Sequence, residues 1–291
     1  MDYALYILII ICLYSIITLT GNILLGYLGI LYLAIPAIYG IGAYTFAILA
    51  TNGSNTFLAI FLGGIFAMIG GLLLSIPALK LKSHYIGIAT LAFLFIISSL
   101  TYNLKDLTRG SLGIPGIPRP TIFGLYLESN LSFFIFTLIV TIIICTILYK
   151  ILHSPFAKVI EAIREDEIAV KTLGKNTKIY KLQAFMISTF FSGIAGALFA
   201  SYLGFINPQN FHIPQLTTAI SMIIVGGMAS FWGSILGTVI LVLVPEILRF
   251  LTLSPDILAG VRLGIYGLIL ILFMLFKPNG LMGKRTNIFS K

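Results

Sequence analysis

The residues of this 291-residue chain that could do chemistry are few, and most stand in one stretch. From Ser154 the sequence reads SPFAKVIEAIREDEIAVKTLGKNTKIYKL, with Glu161 three positions before Arg164 and Glu167 four before Lys171. Acid before base at these spacings sets opposite charges side by side on a helix. Ser154 can cap that helix and Pro155 can open it, since the first turn needs no N–H from that residue. Phe156, Val159, Ile160 and Ile163 fall on one apolar face, Glu161, Glu165 and Asp166 on the other, and Gly174 offers a stop. Mixed charge beside a fixed apolar face suits a protein partner, because a helix resting on lipid usually carries Lys and Arg without so many acids. The chemistry is then docking and transmission of force; a solvated linker helix at the interface is the plainer alternative. Catalysis has little to work with. The sequence holds no GxxxxGK[ST] phosphate loop, and His84, His153 and His212 are too isolated for a metal site.

The rest of the chain positions this stretch from within a bilayer. Hydrophobic residues make up 59%, charged residues 9%, and the mean hydropathy is +1.08, more apolar surface than a soluble domain of this length can cover. A spanning helix needs roughly 20 apolar residues. Runs near 3–20, 23–51, 57–76, 84–103, 131–150, 179–204, 215–250 and 257–276 meet or exceed that length. Two are compound: 23–51 is interrupted by Gly26, Gly29 and Pro36, and 215–250 by Gly226, Gly227 and Gly233. The expected fold is therefore an all-α polytopic transmembrane helical bundle with about 8–10 spans, some broken. The first run, Tyr3 to Leu19, lacks a basic leader and a small-residue cleavage site, and is expected to be a retained span.

The net charge of +9 does not point to nucleic acid, because the basic residues are spread over loops instead of gathered on one face. They follow the positive-inside rule. Lys80 and Lys82, the segment Lys150 to Lys181, and Lys277, Lys284, Arg285 and Lys291 fit the cytoplasmic side, which places the carboxyl terminus there. The weakly charged segments 52–56, 104–130, 207–215 and 251–255 fit the other. Cys12 and Cys145, in different apolar runs, are expected as buried free thiols. Gly233/Gly237, Gly260/Gly264, Gly193/Ala197 and Gly196/Ala200 have the small-xxx-small spacing that lets helices approach closely in lipid. Freed backbone groups at the breaks 26–36 and 226–233 must be satisfied by neighbours or line a cavity.

EAIREDEIAVKTLG resembles the cytoplasmic E-A-A…G signature of ABC importer permeases, with Glu161 and Ala162 at its start and Gly174 at its glycine. An ordered series of blocks extends the resemblance over about 21–283: GIGAYTFAIL (40–49), LKLKSHYIGIATLAF (79–93), LTRGSLGIPGIP (107–118), IVGGMASFWGSILG (224–237), PEILR (245–249) and LFKPNGLMG (275–283). The chain is similar to the M-type permease subunits of branched-chain amino acid ABC transporters. That resemblance implies one transmembrane permease domain over 1–291, in a cell (cytoplasmic/inner) membrane, with 153–174 as the cytoplasmic coupling loop within it. It implies as partners an H-type sister permease, two cytoplasmic ATPase subunits and an external solute-binding protein. The chain itself would be no enzyme and bind no cofactor, ATP and Mg being used by the ATPases. Glu161, Ala162, Arg164, Asp166 and Gly174 would form the coupling surface on the ATPase. The family pattern fails at Leu33–Pro36, where a Ser-Leu-Gly-His-like stretch is usual, and this weakens the case for a polar substrate contact there.

For the translocation path the candidates are Gly42, Tyr44, Gly87 and Thr90: glycine permits close approach, and a hydroxyl can serve a zwitterion. Glu246 and Arg249 are expected as an interfacial pair and Arg262 as a snorkelling or intersubunit residue. LTRGSLGIPGIP is either a contact for the binding protein or a structural turn. Two other functions stay open: the same machinery carrying urea or short amides, and an ion-coupled secondary carrier. The shortage of Asp, Glu, Lys and His in the middles of the spans speaks against the second.

Overall fold

Apolar runs without charge fold as helices because lipid offers no partner for a free backbone N–H or C=O. The computed structural model describes residues 2–79, 81, 83–122, 125–126, 129–248, 255–277 and 280–283. In chain order these form α1 (Asp2–Asn22) with a π-helical turn (Ile23–Tyr27), α2 (Ile35–Thr51), α3 (Thr56–Ala78), α4 (Ser83–Asn103) and the short α5 (Lys105–Thr108). Next come β1 (Ile114–Pro115), β2 (Thr121–Ile122), β3 (Leu125–Tyr126), α6 (Asn130–Leu152), α7 (Pro155–Glu165), α8 (Glu167–Thr172) and α9 (Thr177–Leu203). β4 (Phe205–Ile206), α10 (Ile213–Gly226), α11 (Phe231–Leu248) and α12 (Pro255–Phe276) complete the order. Five helices, α1 with its π turn, α3, α4, α6 and α9, are long and apolar enough among the described residues to cross a membrane. With α2, α10, α11 and α12 the apolar helices number nine among the described residues, an all-α multi-pass bundle as expected.

Both compound runs are broken within the expected 26–36 and 226–233, but the boundary ahead of the first of them is absent. Gly21 and Asn22 were expected to separate two spans, yet the helix runs through them and on to Tyr27. Gly21 gives room for Ile223 and Ile35, and the Asn22 amide is taken up by a neighbouring turn, so neither residue ends the helix. The chain leaves helical geometry at 28–34 and re-enters it at Ile35, with Pro36 in the first turn of α2. The second run breaks at 227–230, and α10 and α11 fold back on one another there. At 14 residues, α10 is about 21 Å long, short of the roughly 30 Å of hydrocarbon.

Small residues set the packing. Gly42 of α2 lies against the backbone of Gly193 in α9, and Gly196 of α9 against the Tyr39 carbonyl, so neither leaves space for a Cβ. Gly226, Gly233 and Gly237 do the same between α10 and α11, while Gly264 of α12 meets nothing within 4 Å among the described residues. The best-hydropathy windows of α1 and α9 are 72% and 67% buried, against 28% for α4, so α1 and α9 are central and α4 lies on the rim. Its exposed Ile88, Phe95 and Ile96, like Ile139, Ile142 and Ile143 of α6, suit lipid or an apolar partner.

The elements also sort to two ends of the bundle. Asn130 Nδ2 donates to Asp2 Oδ1 at 3.1 Å, which sets the amino end of α1 beside the start of α6. At this end β1 pairs antiparallel with β4, Ile114 opposite Ile206, so LTRGSLGIPGIP is pinned to the segment after α9. The 28–34 break, the α7–α8 segment, the 227–230 turn and residues 280–283 share the opposite end. The expectations for Lys80, Lys82, Arg249, the 251–254 turn, the Arg262 side chain, Lys284, Arg285 and Lys291 lie outside the described residues.

Candidate functional site

The 153–174 segment is two helices, not one. α7 runs from Pro155 to Glu165; Asp166 then adopts an extended conformation (φ −152°, ψ 101°) and its carboxylate accepts the N–H groups of Ile168 and Ala169 at 2.8 and 3.1 Å, opening α8. An aspartate ahead of an apolar stretch is a capping signal, and here it ends one helix and starts the next. Ser154 occupies the cap position of α7, but its hydroxyl donates backward to the Ile151 carbonyl at 2.6 Å instead of capping. Gly174 follows α8 at φ +76°, the left-handed conformation that a helix stop requires.

The two faces of the segment do different things. Ile160, Ile163 and Ala157 are buried, Phe156 and Val159 pack at the edge of the core, and the Phe156 ring stacks on Tyr180 of α9 at 6.0 Å. Ala162 also sits at that edge and Glu161 is half-buried. Glu165 and Asp166 face outward. So do Ile168 and Leu173, 74% and 79% exposed, two aliphatic side chains at the tip of a segment otherwise rich in charge.

Arg164 turns inward. Its Nη1 donates to the carbonyl of Gly26 in the π-helical turn of α1, and its aliphatic stem lies over Gly29, which has φ +71° and no room for a Cβ. Burial pulls the guanidinium below its ordinary value, against the opposing charges of Glu161 and Glu165. The carbonyls of a π turn are poorly placed for a regular helical ladder, and a charged donor is a strong partner for one of them. Arg164 therefore links the segment to the first helix break.

Glu167, which the sequence marked only through its spacing to Lys171, ties α8 to α9. Its carboxylate meets Lys171 at 3.1 Å, Lys181 at 2.7 Å and the Thr177 hydroxyl at 3.0 Å. Burial raises its pKa, but the bonds from Lys181 and Lys171, the Lys181 charge and the Thr177 hydroxyl outweigh it and bring it down to about 2. The i,i+4 spacing revealed the Lys171 half; Lys181 and Thr177 lie beyond the turn and left no periodic signal. Gly26 and Gly29 stood out in the sequence only as interruptions, because nothing local names the side chain that will cross them.

The four path candidates fall in two places. Gly87 and Thr90 of α4 meet the 28–34 segment: the Thr90 hydroxyl faces the Leu31 and Gly87 carbonyls at 3.2 and 2.9 Å and accepts the Leu33 N–H at 3.1 Å. Gly42 packs on α9, whereas Tyr44 sits against Phe211 at 5.7 Å with its buried hydroxyl making no hydrogen bond among the described residues. None of the four lines either of two cavities, one of about 230 Å³ between α1, α9, α10, α11 and α12 and one of about 380 Å³ between α1, α6 and α11. Cys12 and Cys145 are free and line the second. Glu246 lines the first; its expected partner Arg249 is outside the described residues.

Set beside known proteins, the chain matches over residues 3–275 the family model described as the branched-chain amino acid transport system permease component. It is 33% identical to the high-affinity branched-chain amino acid transport system permease protein LivM of Escherichia coli K12 over 92% of this chain and 67% of that one. The LivM protein of Salmonella typhimurium gives the same figures. A probable branched-chain amino acid transport permease protein LivM of Methanocaldococcus jannaschii is 27% identical over 79% of this chain and 69% of its own. No solved structure matches the chain. The matched region takes in the broken first span, the two-helix segment and the α10–α11 hairpin together, and the chain belongs to the family of permease components of branched-chain amino acid transport systems.

Proposed function

We propose that this chain is one of two permease subunits of an ATP-driven importer and forms, with an H-type sister permease, the translocation path for leucine, isoleucine and valine. Two cytoplasmic ATPase subunits bind the ATP and Mg and do the hydrolysis, and an external solute-binding protein delivers the cargo. The chain holds no cofactor. It sits in the cell membrane with the α7–α8 end and the carboxyl terminus in the cytoplasm, where the basic residues collect.

The observation that carries this reading is the two-sided construction of the α7–α8 segment. Its outer face offers Glu165, Asp166, Ile168 and Leu173 to a partner, and its inner face is fastened to α9 through Glu167 and to the first helix break through Arg164. An element exposed on one side and bonded to the spans on the other can pass on a displacement imposed from outside. The coupling surface comprises Glu161, Ala162, Asp166 and Gly174, and Arg164 carries the movement inward. Closure of the ATPases would shift this element and re-pack the attached spans between outward-open and inward-open arrangements. For the path, Tyr44 keeps a hydroxyl free for cargo, with Gly42, Gly87 and Thr90 shaping the backbone around it.

The test is reconstitution of the chain with its sister permease, ATPases and binding protein in proteoliposomes, followed by uptake of leucine and of urea. ATP-dependent uptake of leucine is expected. Uptake of urea alone would move the cargo assignment, and ion-gradient-driven transport by this chain without ATPases would overturn the reading.

A further inference from the structure

The two helix breaks lie 200 residues apart in sequence, yet one side chain joins them. Asn22 is 1% exposed. Its Nδ2 shares two hydrogens among Ser234 Oγ at 2.6 Å, the Ser230 carbonyl at 3.1 Å and the Gly227 carbonyl at 3.4 Å. Its Oδ1 accepts the Ala229 N–H at 3.0 Å. One amide thus satisfies, at the end of α1, the backbone groups that the 227–230 turn frees between α10 and α11. The turn needs that help. Ala229 is held at φ +56°, a conformation an L-residue adopts only when its surroundings over-determine it.

The junction reaches the two-helix segment through a single residue. A Cβ on Gly26 would strike both Asn22 Oδ1 and the Ala229 N, so the π turn of α1 and the 227–230 turn touch backbone to backbone there. The carbonyl of that same Gly26 accepts the Arg164 guanidinium. On the far side of the turn the chain after α12 closes the structure: Leu281 and Met282 donate their N–H groups to the Val225 and Gly226 carbonyls at 2.9 and 3.1 Å, and Gly280 lies against Gly227. Arg164 is bonded to Gly26, Gly26 packs against both Asn22 and Ala229, and Asn22 is bonded to the 227–230 turn.

We infer that Asn22 is a positioning residue for transport: it makes the two helix breaks one mechanical body, so that a pull on Arg164 displaces the first break and the α10–α11 turn together. This rests on the importer reading above. Without the amide, only the packing of Gly26 on Ala229 would join the two, and the π turn could follow α7 while the 227–230 turn stayed behind. ATP hydrolysis would continue but would no longer re-pack α10 and α11.

A double-mutant cycle tests it in the full complex of both permeases, the ATPases and the binding protein, reading cargo taken up per ATP hydrolysed. Asn22→Ala and Arg164→Ala are each expected to lower that ratio about tenfold, and the double variant to be no worse than the poorer single one, as steps in series require. Multiplication of the two effects to about a hundredfold would overturn the inference. So would an Asn22→Ala complex that merely melts at lower temperature with its uptake per ATP intact. If Asn22→Ala does not assemble, Ser234→Ala removes the shortest of the Asn22 bonds, together with the Ser234 hydroxyl's bond to the Ser230 carbonyl, and enters the same cycle with a smaller expected loss, about threefold. A wild-type complex without ATP-driven uptake would instead sink the importer reading and this inference with it.

Discussion

The Glu167 tie can be removed with little change of shape, by Glu167→Gln. The carboxylate holds Lys171, Lys181 and Thr177, and its pKa of about 2 stands below the ordinary 4.5. Taken undamped, that difference corresponds to roughly 3 kcal/mol. The Glu167 side chain is 34% exposed and Lys171 52%, so water screens much of the attraction and about 1 kcal/mol is the defensible figure. The loss should appear locally, as easier opening of α8 from α9: amide hydrogen exchange over 166–176 in nanodiscs at pH 7 should quicken about fivefold. The sign with pH follows from the lowered pKa. The contribution is complete above pH 4.5 and fades as the pH falls from 4.5 through about 2. Wild-type exchange, corrected for its intrinsic pH dependence, should therefore approach that of Glu167→Gln only at the acid end of this range. Equal protection of α8 in the two proteins at pH 7 would refute the tie.

Reversing the charge in Arg164→Glu should leave membrane insertion intact, because α7 is not one of the spans, but cut uptake per ATP tenfold or more in proteoliposomes. Leu173→Asp puts a charge on an exposed aliphatic tip and should cost the chain no stability; it should weaken co-purification with the ATPases by a factor of ten or more, in line with about 2 kcal/mol for one buried leucine. Gly42→Leu forces a side chain into the Gly193 backbone and should destabilise the α2–α9 contact by about 3 kcal/mol, seen as lost folded yield and a lower melting temperature in detergent.

What could be read from the sequence depended on the range of the interaction that decides it. Helix bodies were legible because hydropathy and charge act within about 20 residues. Glu167–Lys171, Gly174 and the apolar face of α7 were legible because helical periodicity is local. The break at 28–34 was legible from Gly26, Gly29 and Pro36, but the continuity of the helix ahead of it was not. Gly21 and Asn22 look like punctuation, and only partners some 200 residues away, Ile223, Ala229 and Ser234, let the helix run through them. Arg164 shows the same limit. Its spacing to Glu161 marked it as a surface ion pair, whereas the glycines at 26 and 29, with no side chains of their own, open the slot it occupies.

Polar residues in this bundle are therefore best judged by what they satisfy. In lipid a helix break is stable only if something supplies the hydrogen bonds that the ladder no longer makes. Here the suppliers are Asn22 for the 227–230 turn, Thr90 for the 28–34 segment, Arg164 for the π turn and the backbone at 281–282 for the end of α10. All four lie at one end of the bundle, three of them around Gly26 and Gly227, the end that also carries the exposed face of α7 and α8. A bundle whose helix breaks and π turn gather where a motor would attach could move there without unmaking the continuous helices. On the importer reading, the tight glycine contacts of α2, α3 and α9 would be the frame against which the α10–α11 hairpin shifts.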